Sequence, residues 1–476
     1  MNQERQSLRA SETVSGRRRV AFYALGCRVN FEEAECLSGQ FAEHGYQTVP
    51  FDQQAEVYVI NTCTVTGFAD AESRKIVRRA VRRKPSDGAV IVTGCYAQRD
   101  PERLRALEGV DLVLGNSEKS ALIEHLLRLA EDRRLAGDLW EGAAIARETP
   151  LTESFLSHGK APAGTGRTRA TLKIQDGCNE HCTYCIIPSV RGISVSREIE
   201  EVLIEAKSLA AIGYREIALT GVNTGCFGHD RGNPEGLAEL VSRLDSLELP
   251  LRFRLNSLEP ATVTEALLDA LESASCFCEH FHVPLQHGDA RILRRMSRGY
   301  DPEFYADKIA RIHARFPQAG IGADVMVGFP GEDEDCFEQS RAFVASLPLS
   351  YLHVFTYSER EGTPATRMAK QLSPQVKQAR SRSLHQLEVE LRRAFLARQI
   401  GREVEVLVEA KPGPGAAPAG LSREYVRVEL SGAGAAAKEH ELWRARVEEQ
   451  LDEKWLRAAA LSTGPMPVKT GKHLAQ

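Results

Sequence analysis

The chain has 476 residues, too many for one ordinary core and enough for about three domains at roughly 150 residues each. Its apolar and charged fractions, 42% and 26%, are those of a globular protein that stays in water, and no apolar run reaches the roughly 18 residues of a membrane-spanning helix. A formal net charge of −4 and a pI near 6.4 argue against binding nucleic acid by bulk charge, so any such contact must come from local patches.

The opening stretch MNQERQSLRASETVSGRRRV carries charge throughout and has no apolar block of the secretory kind. Residues 1–17 are expected to be disordered and the chain to be cytoplasmic, with no membrane association. Eleven cysteines in such a chain point to metal or redox chemistry rather than to a disulfide framework, because reducing compartments keep thiols free.

From 18 to 131, apolar strands at about 19–25, 57–61, 89–93 and 111–114 alternate with helical stretches at 31–44, 70–84, 100–107 and 118–131. This pattern predicts an α/β fold, a Rossmann-like parallel sheet wrapped by helices. Three of the strands run into a cysteine: RVAFYALGC at Cys27, VYVINTCTV at Cys63 and AVIVTGC at Cys95. In a parallel sheet all strand C-termini open on one edge, which is where such sheets place ligands. The three thiols can therefore meet and hold an open 4Fe-4S cluster, against the alternative of three buried structural cysteines. RKIVRRAVRRK, Arg74 to Lys84, is either a solvated helix face or an RNA contact.

Residues 132–167, with GKAPAGTGRT, lose periodicity and read as a linker. Between 168 and 399 six strand candidates follow: TLKIQ, REIALTG, LRFRLNS, HFHVPLQ, IGADVMVG and YLHVFTYS. Amphipathic helices separate most of them. Six βα units predict a partial (β/α)6 barrel with its functional loops at the strand C-terminal ends, followed by a long helix over 373–399. From 401 to 461, EVEVLVEA and EYVRVEL alternate as in a small antiparallel β module, and 462–476 reads as a flexible tail.

DGCNEHCTYCIIP sets Cys178, Cys182 and Cys185 as Cys-x3-Cys-x2-Cys just after the first barrel strand. Three thiolates this close hold three irons of a 4Fe-4S cluster and leave the fourth iron open. The competing reading is a zinc site completed by His181. Its weakness is position, since a structural zinc knot rarely sits on the functional rim of a barrel. Cys36, Cys226, Cys276, Cys278 and Cys336 lack any such pattern, although Cys226 falls in a rim loop.

With Tyr184 before its third cysteine, this motif resembles the radical S-adenosylmethionine (SAM) superfamily. The resemblance implies that SAM chelates the open iron and is cleaved to a 5′-deoxyadenosyl radical. The rim residues Asn223, Asn256, Glu259, Gln286 and Asp324 are then candidates to bind SAM or substrate; alternatively they make turns and caps at the barrel end. Two three-cysteine sets, a SAM barrel and a terminal β module resemble the methylthiotransferase family from about 18 to 460, through YALGCRVN, VINTCTV, VTGCYAQ, KIQDGCNEHCTYCIIPSVRG and IGADVMVGFPGE. That family replaces C–H by C–SCH3: one SAM methylates sulfur carried at the auxiliary cluster and another supplies the radical.

What the resemblance implies is two 4Fe-4S clusters, SAM, a flavodoxin- or ferredoxin-like electron donor, a sulfur source and a tRNA anticodon loop. The string KIQDGCN…CTYCIIP…RG is most similar to the group acting on threonylcarbamoyl-adenosine, where the attacked atom is C2 of adenosine 37 beside the anticodon. The other groups act on isopentenyl-adenosine in tRNA or on an aspartate of a small-subunit ribosomal protein. A zinc-stabilised, non-enzymatic RNA-binding protein is the alternative of another class.

The terminal module is similar to the TRAM fold, a small RNA-binding β barrel, yet it carries Glu403, Glu405, Glu409, Glu424, Glu429, Glu439 and Glu441. Phosphate contacts are therefore expected from the Arg74–Lys84 helix or from Arg380, Arg382, Arg392 and Arg393, with Tyr425 and Trp443 as candidate stacking platforms.

Overall fold

The β-branched runs of the first region build a six-stranded sheet in the computed structural model, which describes residues 18–136, 144–146, 155–156, 167–410, 413 and 415–466. The expectations for 1–17 and for 467–476 lie outside these residues. Strands β1 (Arg19–Ala24), β2 (Gln47–Thr48), β3 (Val57–Thr62), β4 (Ala89–Gly94), β5 (Leu112–Leu114) and β6 (Ala144–Ala146) are parallel, in the order β2-β1-β3-β4-β5-β6. All six positions of β3 and of β4 are buried, because helices cover both faces of the central strands. Phe41, Val59 and Ile91 pack on one face; Tyr58, Ile60, Val77 and Val92 pack on the other.

Two features of this region depart from the sequence reading. The helices begin earlier than expected: Cys27 is the N-cap of Arg28–Glu43, and Cys95 is the first residue of the short helix Cys95–Arg99. Buried Asn30, Glu32 and Glu33 break the apolar periodicity of the first turns, which hides the true start. The stretch expected to be a linker also contributes structure, since helix Leu122–Ala136 runs into it and β6 extends the sheet beside β5. Three residues are too few to show a period.

The second body contains β7 (Ala170–Lys173), β8 (Gln175–Asp176), β9 (Val195–Ser196), β10 (Glu216–Thr220), β11 (Arg252–Leu255), β12 (His280–His282), β13 (Gly320–Val327) and β14 (Tyr351–Thr356). Parallel sheets β7-β10-β11 and β12-β13-β14 are joined by a parallel bridge between Phe253 and Phe277, giving six strands of a partial barrel. The antiparallel pair β8 and β9 closes the base of the cysteine loop. Outer helices start at side-chain caps, with Thr264, Asp301 and Asp333 each accepting from an amide three residues on. The long helix Pro374–Ala397 starts at the Ser373 cap.

In the third body β15 (Glu403–Val408), β16 (Ala419–Ser422), β17 (Arg427–Ser431), β18 (Leu442–Gln450) and β19 (Trp455–Ala460) close a barrel in the order β15-β16-β17-β19-β18, consistent with a TRAM-like module. It covers the N-terminal end of the larger barrel. Glu216, fully buried, receives Arg252 Nε at 2.7 Å and Arg254 Nε at 2.8 Å. The two guanidinium groups reach on to the carbonyls of Glu405, Leu421, Arg423 and Ser422 at 2.7–3.0 Å. Burial opposes the charge on Glu216, but Arg254 and Arg252 override it and hold its carboxyl down to about 2.

Candidate active site

Cys27, Cys63 and Cys95 are free thiols at the C-terminal ends of β1, β3 and β4, which are neighbours in the sheet. They lie within electrostatic reach of one another. Cys63 and Cys95 are buried and Cys27 is exposed. Two glycines make this convergence possible. Gly26 sits at φ +88°, and a Cβ there would lie 2.5 Å from Cys63 Sγ; Gly94 sits at φ +98°, and its Cβ would lie 2.4 Å from the Thr62 carbonyl. Asn30 ties the corners together, its Nδ2 donating to the carbonyls of Leu25 at 2.8 Å and Thr62 at 3.0 Å.

The second set, Cys178, Cys182 and Cys185, lies in the loop between β8 and the short helix Ile187–Arg191, again free and mutually close. Backbone amides of Glu180 and Ile187 donate to the sulfurs of Cys178 and Cys185, each at 3.4 Å. Arg298 Nη1 donates to Cys182 Sγ at 3.3 Å, and its Nη2 pairs with Glu259. Burial pushes the thiols of Cys63 and Cys178 up to about 11 and that of Cys185 to about 12. Metal-free, these groups are neutral at pH 7, so a metal must displace protons as it binds.

The donor spacing bears on the zinc alternative. Thiolates 2.3 Å from one tetrahedral zinc would lie about 3.8 Å apart. Among the described residues, neither cysteine set, with or without exposed His181, gathers its donor atoms that tightly. Wider-set thiolates suit a multi-iron cluster.

The rim supplies polar groups in need of partners. Asn223 is buried, its amide donating to Gln175 Oε1 at 2.8 Å while its Oδ1 has no partner; Asn256 accepts from Arg28 Nη1 while its Nδ2 has none. Buried orphans of this kind at the cysteine-bearing edge fit a polar cofactor such as SAM. Gln286 adopts φ +68° and acts through its backbone, donating to the Asp324 carbonyl at 2.8 Å. Asp324 Oδ1 accepts from His282 Nε2 at 2.9 Å and His353 Nδ1 at 3.2 Å. Cys226 is near Cys178, and burial pushes its thiol to about 12.

A buried ionic cluster fixes the first body against the second. Glu33 receives Lys119, Lys173 at 3.0 Å and Arg191 at 3.0 Å; Arg191 also reaches Asp176 at 2.9 Å and Asn30 Oδ1 at 2.6 Å. Three cations face two carboxylates here, and Arg191 lies within electrostatic reach of Cys27 and Cys95. A line of contacts then connects the two cysteine sets: Cys182 to Arg298 to Glu259, and three residues back along the chain Asn256 to Arg28, the neighbour of Cys27. Arg28, Glu33, Arg191, His282, Arg298 and His353 are contact positions around the cysteine sets and the rim that sequence reasoning does not single out. The histidines carry a signal, since HFH and YLH place polar rings at period two on strands whose inward face is a lumen.

Several expected RNA contacts are placed elsewhere. Arg380 is buried in ion pairs with Glu332 at 3.1 Å and Glu334 at 2.8 Å, and Arg392 pairs with Glu388 over the Tyr351 ring. Trp443 is buried in the small barrel, where β18 alternates inward and outward residues and carries it into the core. Tyr425 turns into the lumen, its ring 4.4 Å from His280 and under Arg254. The basic helix ends at Val81; on it Arg74 donates to the Tyr96 hydroxyl at 2.7 Å, beyond it Lys84 pairs with Asp111 at 2.7 Å, and Arg78 and the C-cap Arg82 are exposed. Arg382 and Arg393 are exposed too. So are apolar residues near the cysteine sets, Val65 and Phe68 (78%) just after Cys63 and Ile193 (71%) beside the Cys178 corner, and Phe355 on β14. A cavity of about 380 Å³ lined by Arg169, Tyr351, Arg392, Glu409 and Tyr425 holds none of the cysteines.

Comparison with known proteins matches residues 19–115 to the uncharacterized protein family UPF0004 and residues 172–344 to the radical SAM superfamily. The threonylcarbamoyladenosine tRNA methylthiotransferase MtaB of Bacillus subtilis is 40% identical over 82% of this chain and 84% of its own. The protein of that name from Aquifex aeolicus is 37% identical over 82% and 92%. A tRNA-2-methylthio-N(6)-dimethylallyladenosine synthase of Desulforamulus reducens is 33% identical over 82% and 84%. Among solved structures, the radical S-adenosylmethionine methyltransferase TsrM of Kitasatospora setae superposes with a TM-score of 0.54 at 16% identity over 74% of each chain, a likeness of fold.

Proposed function

The chain belongs to the radical SAM methylthiotransferase family, and from that premise we propose that it converts N6-threonylcarbamoyladenosine at tRNA position 37 to its 2-methylthio derivative. The observation that carries this reading is the pairing of two open three-thiol sites across the Arg28–Asn256 contact, one built by the sheet and one by the barrel loop. A 4Fe-4S cluster held by Cys178, Cys182 and Cys185 would supply the electron that opens SAM to a 5′-deoxyadenosyl radical, and one held by Cys27, Cys63 and Cys95 would carry the sulfur to be methylated and transferred.

The protein's own residues bind and orient. Asn223, Asn256 and Glu259 meet the polar groups of SAM, and Arg298 supports the Cys182 sulfur while holding Glu259 in place. Gln286 sets the strand-end geometry beside Asp324. Exposed Val65, Phe68, Ile193 and Phe355 offer surfaces for unstacked bases, and Arg78, Arg82, Arg382 and Arg393 lie free for phosphates. A reducing electron donor and a sulfur source complete the system. None of the described helices is long and apolar enough to cross a membrane.

Anaerobic reaction of the reconstituted enzyme with threonylcarbamoylated tRNA, followed by nucleoside mass spectrometry, is expected to yield the 2-methylthio product. Product from isopentenyl-adenosine tRNA alone, or from a ribosomal protein alone, would overturn the assignment.

A further inference from the structure

Arg28 differs from the other cations of the lumen. Arg252 and Arg254 are matched by Glu216, Arg298 by Glu259, and Lys119, Lys173 and Arg191 by Glu33 and Asp176. Arg28 is exposed and, among the described residues, touches only neutral groups, the Asn256 side-chain oxygen and the Tyr425 hydroxyl at 3.0 Å. Those two contacts come from the barrel and from the small β barrel, so all three bodies combine to hold one guanidinium in place. Tyr425 is itself held firmly, adopting φ +69°, an unfavourable backbone for a bulky residue, while its ring stacks on His280. A fork of donors held by neutral partners retains its full charge and free N–H groups for an incoming anion.

Position says which anion. In adenine, C2 and C6 flank N1, so a substituent on N6 lies one ring atom away from the carbon that receives sulfur. A receptor for that substituent must therefore stand beside the sulfur site, and Arg28 directly follows Cys27. The threonylcarbamoyl group ends in a free carboxylate, whereas an isopentenyl group carries no charge. We infer that Arg28, oriented by Asn256 and Tyr425, binds the carboxylate of the N6 substituent and thereby selects the acidic substrate over the apolar one; this rests on the proposed function above.

The test compares holoenzyme binding and turnover on two tRNAs, one carrying threonylcarbamoyladenosine and one carrying its methyl ester. Dissociation constants are measured anaerobically, and iron and sulfide content are assayed in every variant. The wild type is expected to prefer the acid by about 10- to 100-fold, the worth of a hydrogen-bonded charge. Arg28→Gln should bind acid and ester equally, and Arg28→Lys should keep part of the preference. Because Arg28 adjoins Cys27, Tyr425→Phe provides a second variant remote from the cysteines in sequence, expected to lower the acid-to-ester ratio about threefold. Turnover of the acid without discrimination against the ester would overturn the inference and leave the proposed function standing. Equal loss of acid and ester binding in Arg28→Gln, or an unchanged ratio in both Arg28→Gln and Tyr425→Phe, would overturn it likewise. No product from either tRNA would overturn the proposed function itself.

Discussion

The two cysteine sets reach similar arrangements by opposite routes. Cys178, Cys182 and Cys185 are neighbours in one loop, so local chain geometry suffices to gather them. Cys27, Cys63 and Cys95 are far apart in sequence and meet only because β1, β3 and β4 are adjacent and parallel. The first set depends on a loop; the second depends on a whole sheet being correct. The loop set can therefore survive damage to the first body, whereas the sheet set cannot survive loss of its register.

The largest expected effect separates the two sets by function. Cys182→Ala should abolish reductive SAM cleavage, read as 5′-deoxyadenosine, while Cys63→Ala should leave cleavage measurable and stop methylthio transfer. Full product from Cys63→Ala would remove the sheet set from the chemistry. Next comes the ionic cluster that fixes one set against the other. Glu33→Gln leaves Lys119, Lys173 and Arg191 short of a buried counter-charge and should cost about 3–5 kcal/mol in denaturant unfolding.

The same carboxylate gives a pH signature. Burial disfavours its charge, but Arg191, Lys119 and Lys173 override this and hold Glu33 well below its usual 4.5. A depressed carboxylate stabilises the fold above its unfolded value and loses that contribution as pH falls through the folded one. Wild-type stability should thus decline below about pH 4.5 more steeply than that of Glu33→Gln.

Gly26→Ala should act on the sheet set alone. Its Cβ would press on Cys63 Sγ from a left-handed backbone position, costing about 1–3 kcal/mol and lowering iron content toward that of the loop set. SAM cleavage unchanged and iron undiminished would show that the corner tolerates the methyl group. The smallest effect concerns the rim: Phe68→Ala should weaken tRNA binding by about 1 kcal/mol, roughly fivefold in Kd, without altering iron content.

The same contrast explains what is legible in advance. The six cysteines and the barrel rhythm can be read because they rest on short spacings or on strand runs with continuous apolar burial, such as β3 and β4. The helix starts at Cys27 and Cys95 cannot: buried Asn30 and Glu33 serve a neighbouring body rather than their own core, and the five residues Cys95–Arg99 are too few to show a helical period. Arg28 and Arg298 carry no periodic mark at all; Asn256 lies 228 residues from Arg28 and Cys182 lies 116 from Arg298. Aromatic rings in an RNA-binding fold invite a role as base platforms for Tyr425 and Trp443, yet packing claims Trp443 and the lumen Tyr425.

The floor of the large barrel is completed late in synthesis. Arg252 and Arg254 find their last hydrogen-bond acceptors in the carbonyls of Leu421, Ser422 and Arg423, residues that leave the ribosome long after the barrel strands do. Until then the lumen is open from below as well as above. Formation of β16 and the turn after it shuts that lower door, so closure of the barrel's floor waits on the last of the three bodies to be made.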